Sequence, residues 1–154
     1  MGLPPDTTAY EITTDASRVD VAAVHAFLAG AYWSRGIPRE LVERAIANSI
    51  CVSVLLHGEQ VGFARVITDR ATFAYLADVY VIDAHRGRGL AHRMMTTVMQ
   101  HPELQGLRRM MLVTRDAHSV YAPHGFTALA APERVMERTI PNAYAPTEST
   151  ESAP

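Results

Sequence analysis

Cysteine occurs once, at Cys51, so no disulfide can form within the chain, and the expected setting is a reducing one. No apolar run approaches the ~20 residues of a membrane span. The opening residues, MGLPPDTTAYE, lack the basic and apolar segments of a secretory leader. These absences predict a soluble cytoplasmic protein without a membrane partner. Basic residues never cluster into a long run, and the formal net charge is −2, so a nucleic-acid partner is not expected. The seven histidines are scattered, and His92, His101, His118 and His124 show no ligand spacing, so no metal is expected.

What remains is a chain of 154 residues with 48% hydrophobic and 19% charged residues, enough for one ordinary domain with a sizeable core. The periodicity predicts a short strand at Tyr10–Thr13 and a helix from Val21 to about Ala31, capped by Asp20. A second helix begins at Pro38, with Leu41, Val42, Ala45 and Ile46 as its apolar stripe. Strands follow at Ile50–Leu56, Val61–Thr68 and Phe73–Ile82, the first two joined by a tight turn at His57–Gln60. The helical period returns from Leu90 and ends at His101-Pro102. Arg109–Thr114 reads as a buried strand and Ala117–Tyr121 as a short helix. Phe126–Ala130 and Val135–Thr139 are candidate final strands. The polar, Pro-containing segment 142–154 is expected to be a disordered tail, which leaves residues 1–141 as the domain. The fold class is therefore α/β (α+β), with a mostly antiparallel sheet. The helix between Phe73–Ile82 and Arg109–Thr114 makes a right-handed crossover, so those two strands should lie parallel. Met94, Met95, Met110 and Met111 fall at core positions, and Cys51 reads as a buried strand residue.

Between the third strand and the third helix stands Arg86-Gly87-Arg88-Gly89-Leu90-Ala91. Glycines let the backbone turn tightly, and the free N–H groups of a first helical turn converge on one point. Such a turn suits a phosphate, with Arg86 and Arg88 supplying charge. It is neither a Walker loop nor a dinucleotide fingerprint, because the Gly-Lys-Ser/Thr of one and the third glycine of the other are missing.

This segment resembles the acetyl-CoA signature of the GNAT superfamily, an Arg or Gln followed by x-x-Gly-x-Gly/Ala. Ala117-His118-Ser119-Val120-Tyr121-Ala122-Pro123-His124-Gly125-Phe126 resembles that family's second landmark, Ala-x-x-x-Tyr-x-x-x-Gly-Phe. The order of elements also matches, so the resemblance covers about Tyr10 to Thr139. Thr114 stands where an Asn is common, and Ala91 where a Gly is common.

The resemblance implies a GNAT-like fold whose sheet splays between two parallel strands. It implies acetyl-CoA as co-substrate, with its pyrophosphate on the backbone of Arg86, Gly87, Arg88, Gly89, Leu90 and Ala91. The pantetheine arm would lie along Val79, Tyr80 and Val81, and an N–H near Val79 would polarise the thioester carbonyl. Tyr121 would protonate the departing thiolate. Asp78, a carboxylate on an otherwise apolar strand, would help deprotonate the amine, or would simply pair with a cation such as Arg65. Asp69 and Glu40 are weaker candidates for that role. Tyr32, Trp33, Phe73 and Tyr75 could line a pocket for the acceptor. The implied activity is N-acetylation of a primary amine on a small molecule or amino-acid-like acceptor. The alternative is a non-catalytic module that senses acetyl-CoA. A homodimer is the default assembly.

Overall fold

The computed structural model describes residues 8–144. The first seven residues and the tail from 145 onward lie outside the described residues, including most of the segment expected to be disordered. Five strands form one sheet in the order β1 (Tyr10–Thr13), β2 (Ile50–Leu56), β3 (Glu59–Thr68), β4 (Phe73–Val81), β5 (Arg109–Leu112). The first four pair antiparallel, and β5 runs parallel to β4, with Phe73 opposite Arg109 and Leu76 opposite Leu112. The right-handed crossover expected from the helical period between these strands accounts for that parallel pair.

Local chemistry explains the meander. His57 and Gly58 both adopt positive φ, 48° and 83°, and close β2 onto β3 through a two-residue turn of the hand that matches strand twist. In the next turn Asp69 accepts backbone N–H bonds from Ala71, Thr72 and Phe73, so this carboxylate organises the turn. Those bonds, and the Thr72 hydroxyl above all, hold its carboxyl well below the usual carboxylate range.

Helices cover both faces. α1 (Val21–Gly30) and α2 (Arg39–Ala47) pack on one side, where Val24, Leu28, Val42 and Ile46 meet Cys51, Phe63 and Tyr80. α3 (Leu90–Gln100) lies on the other, burying Leu90, Met94, Met95 and Val98 against Val52, Val54 and Ala64. Alternation along β2 assigns its side chains to the two cores, Val52 and Val54 to one and Cys51 to the other. Cys51 is buried, as its strand position predicts, and burial pushes its thiol up to about 11. Asp20 caps α1 by accepting from the Ala23 N–H. Pro38 stands at the N-cap of α2, one position earlier than its first-turn preference suggests.

Two expectations need correction. Phe126–Ala130 and Val135–Thr139 form no strand; the segment holds only a short 3-10 turn at Pro132–Arg134. Its apolar residues find no partner edge: Val135 is 41% exposed and Met136 is 94% exposed. Strand propensity without burial or a ladder does not make a strand. The segment instead ends with Tyr144 against Gly36, which has a φ of 81° and no room for a side chain: an added Cβ would stand 2.7 Å from the Tyr144 carbonyl oxygen. The fifth strand is also shorter than expected, ending at Leu112, which frees Val113 and Thr114 for the site below.

Candidate functional site

β4 continues five residues beyond its last pairing with β5, so among the described residues the outer edge of Ala77–Val81 has no strand against it. The splay has a local cause. On β4, Asp78 and Val79 together oppose the single residue Ala64 of β3, a β-bulge. Asp78 takes the left-handed conformation, φ 55°, which Asp tolerates better than most residues. The bulge bends β4 away from β5 and leaves the edge of the strand facing a cleft.

That larger cleft, about 700 Å³, runs from the Gly-rich turn along the β4 edge to Tyr121. Arg86, Gly87, Gly89, Leu90 and Ala91 line one end, and Val79, Tyr80 and Val81 line the middle. Gly87 and Gly89 have φ of 76° and 74°, and Gly89 is the N-cap of α3. A Cβ at either would meet nothing within 4 Å, so the turn demands glycine for its backbone and not for space. The first intrahelical bond of α3 is from Arg93 N–H to the Gly89 carbonyl, so the amides before it have no acceptor within the helix. Phosphate oxygens fit this cradle. The arginines behave differently from each other. Arg86 donates from Nε to the Val81 carbonyl at 2.9 Å and pairs with Asp83, which braces the turn. Arg88 turns away from the cleft and donates to the Tyr10 hydroxyl at 2.8 Å, which also lies 2.6 Å from Nδ1 of His85.

A smaller cleft of about 400 Å³ opens on the other side of the same junction. Tyr32 and Trp33 wall it from the α1–α2 connection, and Tyr75 and Asp78 from β4. Phe73 does not reach it; it sits at the start of β4, opposite Arg109. Glu40, in the exposed first turn of α2, lines neither cleft. Asp78 is held tightly. One carboxylate oxygen accepts from Arg65 Nε at 2.8 Å and the other from the Trp33 indole at 2.9 Å. The pair with Arg65 is largely buried.

Both clefts share Tyr32, Trp33, Val79, Asp116, Ala117 and Tyr121. Tyr121 belongs to α4 (His118–Tyr121), whose start is fixed by the Thr114 hydroxyl accepting from the Ala117 N–H at 3.0 Å. Thr114 thus has a structural task of its own. Phe126 packs edge-on against the Tyr121 ring. Tyr121 is buried, and that burial, helped by the neighbouring Tyr32 phenol, raises its pKa above the ordinary phenol value. Its hydroxyl keeps its proton across the physiological range.

Asp116 is the residue that sequence reasoning passed over. Next to Arg115 it reads as part of a charged turn, and only the fold places it where the clefts meet. Phe27 was missed too; its ring stacks on Tyr80 at 3.7 Å and closes the larger cleft from α1. Among the described residues no group of three or more His, Cys, Asp or Glu is arranged to hold a metal.

Comparisons with known proteins agree with this geometry. Residues 46–126 match the family model described as Acetyltransferase (GNAT) family. A Gibberella zeae protein named as a candidate acetyltransferase is 33% identical, over 70% of this chain and 72% of its own length. The crystal structure of a candidate GNAT-family acetyltransferase from Xanthomonas campestris pv. campestris is 46% identical, covers 94% of this chain and 100% of its own, and superposes with a TM-score of 0.87. An acetyltransferase from Clostridium acetobutylicum, solved with acetyl-CoA, shares the fold at 16% identity and a TM-score of 0.61, over 84% of this chain and 94% of its own.

Proposed function

The chain belongs to the GNAT acetyltransferase family, and from that premise we propose that it transfers the acetyl group of acetyl-CoA to a primary amine of a small molecule. The observation that carries this reading is the junction of two clefts at Tyr121. One is long, cradled by helix amides and lined by Arg86 and Arg115, as a polyanionic co-substrate requires. The other is short and walled by aromatic rings. A module that only senses acetyl-CoA has no need of the second.

In this mechanism the amides at the start of α3 hold the pyrophosphate, and the free edge of β4 pairs with the pantetheine arm. The Val79 N–H polarises the thioester carbonyl where negative charge develops. The amine attacks the carbonyl carbon directly. The thiolate that leaves has a pKa near ~8.5, below that of a buried phenol, yet a phenol at hydrogen-bond distance still donates as charge grows on sulfur. Tyr121 fills that role. Asp78 borders the acceptor cleft, but both of its oxygens already hold protein donors. Its work in this mechanism is to fix Trp33 and the bulge, and any part in moving the amine proton runs through water.

Binding tests the first half of the proposal. Acetyl-CoA at a hundred times its dissociation constant should add ~2.7 kcal/mol of stability. ATP and NAD, which lack the pantetheine arm, should add much less. Equal stabilisation by all three would reduce the cradle to a general phosphate site.

A further inference from the structure

The two clefts differ in charge, and the difference defines the acceptor more narrowly. Among the described residues the acceptor cleft carries two carboxylates, Asp78 and Asp116, and no arginine or histidine lines it. The chain contains no lysine at all. Asp78 is neutralised by Arg65 and capped by Trp33, so its charge is already answered. Asp116 is exposed, and among the described residues it has no hydrogen bond or ion pair. The nearby Arg115 does not answer it: its guanidinium lies over the Tyr32 ring, 4.0 Å from the centroid, and lines the cofactor cleft. The same cleft is lined by the rings of Tyr32, Trp33 and Tyr75, and Trp33 packs edge-on to Tyr32 at 5.1 Å. Aromatic rings that share a cleft with an unanswered carboxylate favour an organic cation over an anion.

We propose that Asp116 receives the ammonium of the acceptor and takes its proton, and that the acceptor is a small organic cation bearing no carboxylate or phosphate beside its amine. This rests on the acetyltransferase reading above and narrows its substrate. The ammonium gives one proton to Asp116, and the free amine attacks the thioester. The C–N bond forms and the C–S bond breaks. The sulfur takes the proton of Tyr121, and the second amine proton, lost as the adduct collapses, restores Tyr121 through water. One proton is released overall, from Asp116 to solvent. Asp116 is suited to this because it borders both clefts, whereas Asp78 borders only one.

Matched pairs of amines test the inference: tyramine with tyrosine, phenethylamine with phenylalanine, agmatine with arginine. Two readouts are taken for each, CoA thiol release and quenching of Trp33, the only tryptophan in the chain. The decarboxylated member of each pair should have the higher kcat/KM by about tenfold or more, and should quench Trp33 at lower concentration. Asp116→Asn should lower kcat/KM for the preferred amine by about a hundredfold, within the range of a lost general base, with part of the loss appearing in KM. That loss should shrink as pH rises toward the amine's own pKa. Equal or reversed preference within the pairs overturns the inference, as does an Asp116→Asn variant with wild-type kinetics, while thiol release in the wild type leaves the acetyltransferase reading standing. Acetyl-CoA binding without thiol release from any amine defeats that reading instead. In that case the Trp33 titration decides the inference alone, and amines that fail to quench Trp33 overturn it.

Discussion

Replacing Asp78 by Asn separates architecture from chemistry at the centre of the site. The substitution keeps the shape and suits the left-handed backbone at φ 55°, because Asn adopts that conformation readily. It removes the charge that answers Arg65, and its NH2 takes the place of one of the two oxygens that now accept separately from Arg65 and Trp33, so a donor faces a donor. Removing one partner of a fully buried ion pair costs about 3–5 kcal/mol; here the two side chains keep 16% and 11% exposure, so about 2–4 kcal/mol is expected. In a domain of this size that lowers Tm by about 6–12 °C. Asp78→Ala should lose about 1 kcal/mol more, because Ala resists positive φ. Two assays report the effect independently: thermal unfolding, and the emission of Trp33, whose indole N–H loses its acceptor. Combining Asp78→Asn with Arg65→Gln should recover part of the loss, with a coupling energy of about 1–3 kcal/mol. An Asp78→Asn variant with unchanged Tm and unchanged Trp33 emission would refute the structural role. An activity defect that disappears at high pH would return Asp78 to the list of bases.

Other expectations follow from single features. Tyr121→Phe keeps the ring and its packing on Phe126, so acetyl-CoA binding should survive while turnover falls by 10²–10⁴-fold; a near wild-type rate would assign the proton to solvent. Gly89→Val forces a branched residue to φ 74°, which should cost about 1–2 kcal/mol of stability and weaken acetyl-CoA binding at least tenfold; undiminished affinity in the folded variant contradicts the cradle. Ser53 buries a hydroxyl that has no hydrogen-bond partner among the described residues, so Ser53→Ala should be neutral or more stable by about 1 kcal/mol, measured by denaturant unfolding. The Cys51 thiol ionises near 9 when unfolded and near 11 when folded, so its contribution is complete below pH 9 and is lost as pH rises through 11. Tm should fall across that window, and Cys51→Ala should flatten the fall; an identical slope in the variant would assign it to other groups.

Elements with strong local signals were legible in the sequence. Tyr10–Thr13 and Ile50–Leu56 form as their patterning predicts, and the α3 stripe at Leu90, Met94, Met95 and Val98 is buried as its period requires. The Gly-rich turn was legible because positive φ leaves a residue signature at Gly87 and Gly89. The bulge at Asp78 was not, because Asp hides a positive φ that Gly would announce. The candidate strands after Phe126 misled because propensity was read without a partner edge. Asp116 escaped notice because its importance depends on where β5 ends and on which side chains Arg65 and Arg115 already occupy. Those are facts of tertiary structure.

One measurement tests the central claim most directly. The purified protein is incubated with acetyl-CoA and a panel of primary amines, and the products are identified by mass. With no lysine in the chain, acetylation of the protein's own ε-amines cannot contribute to the signal. The account predicts CoA thiol released in equal amount to an amine gaining one acetyl group on nitrogen, with both lost in Tyr121→Phe. Thiol release without an acetylated amine, or acetyl transfer to oxygen in place of nitrogen, would contradict it.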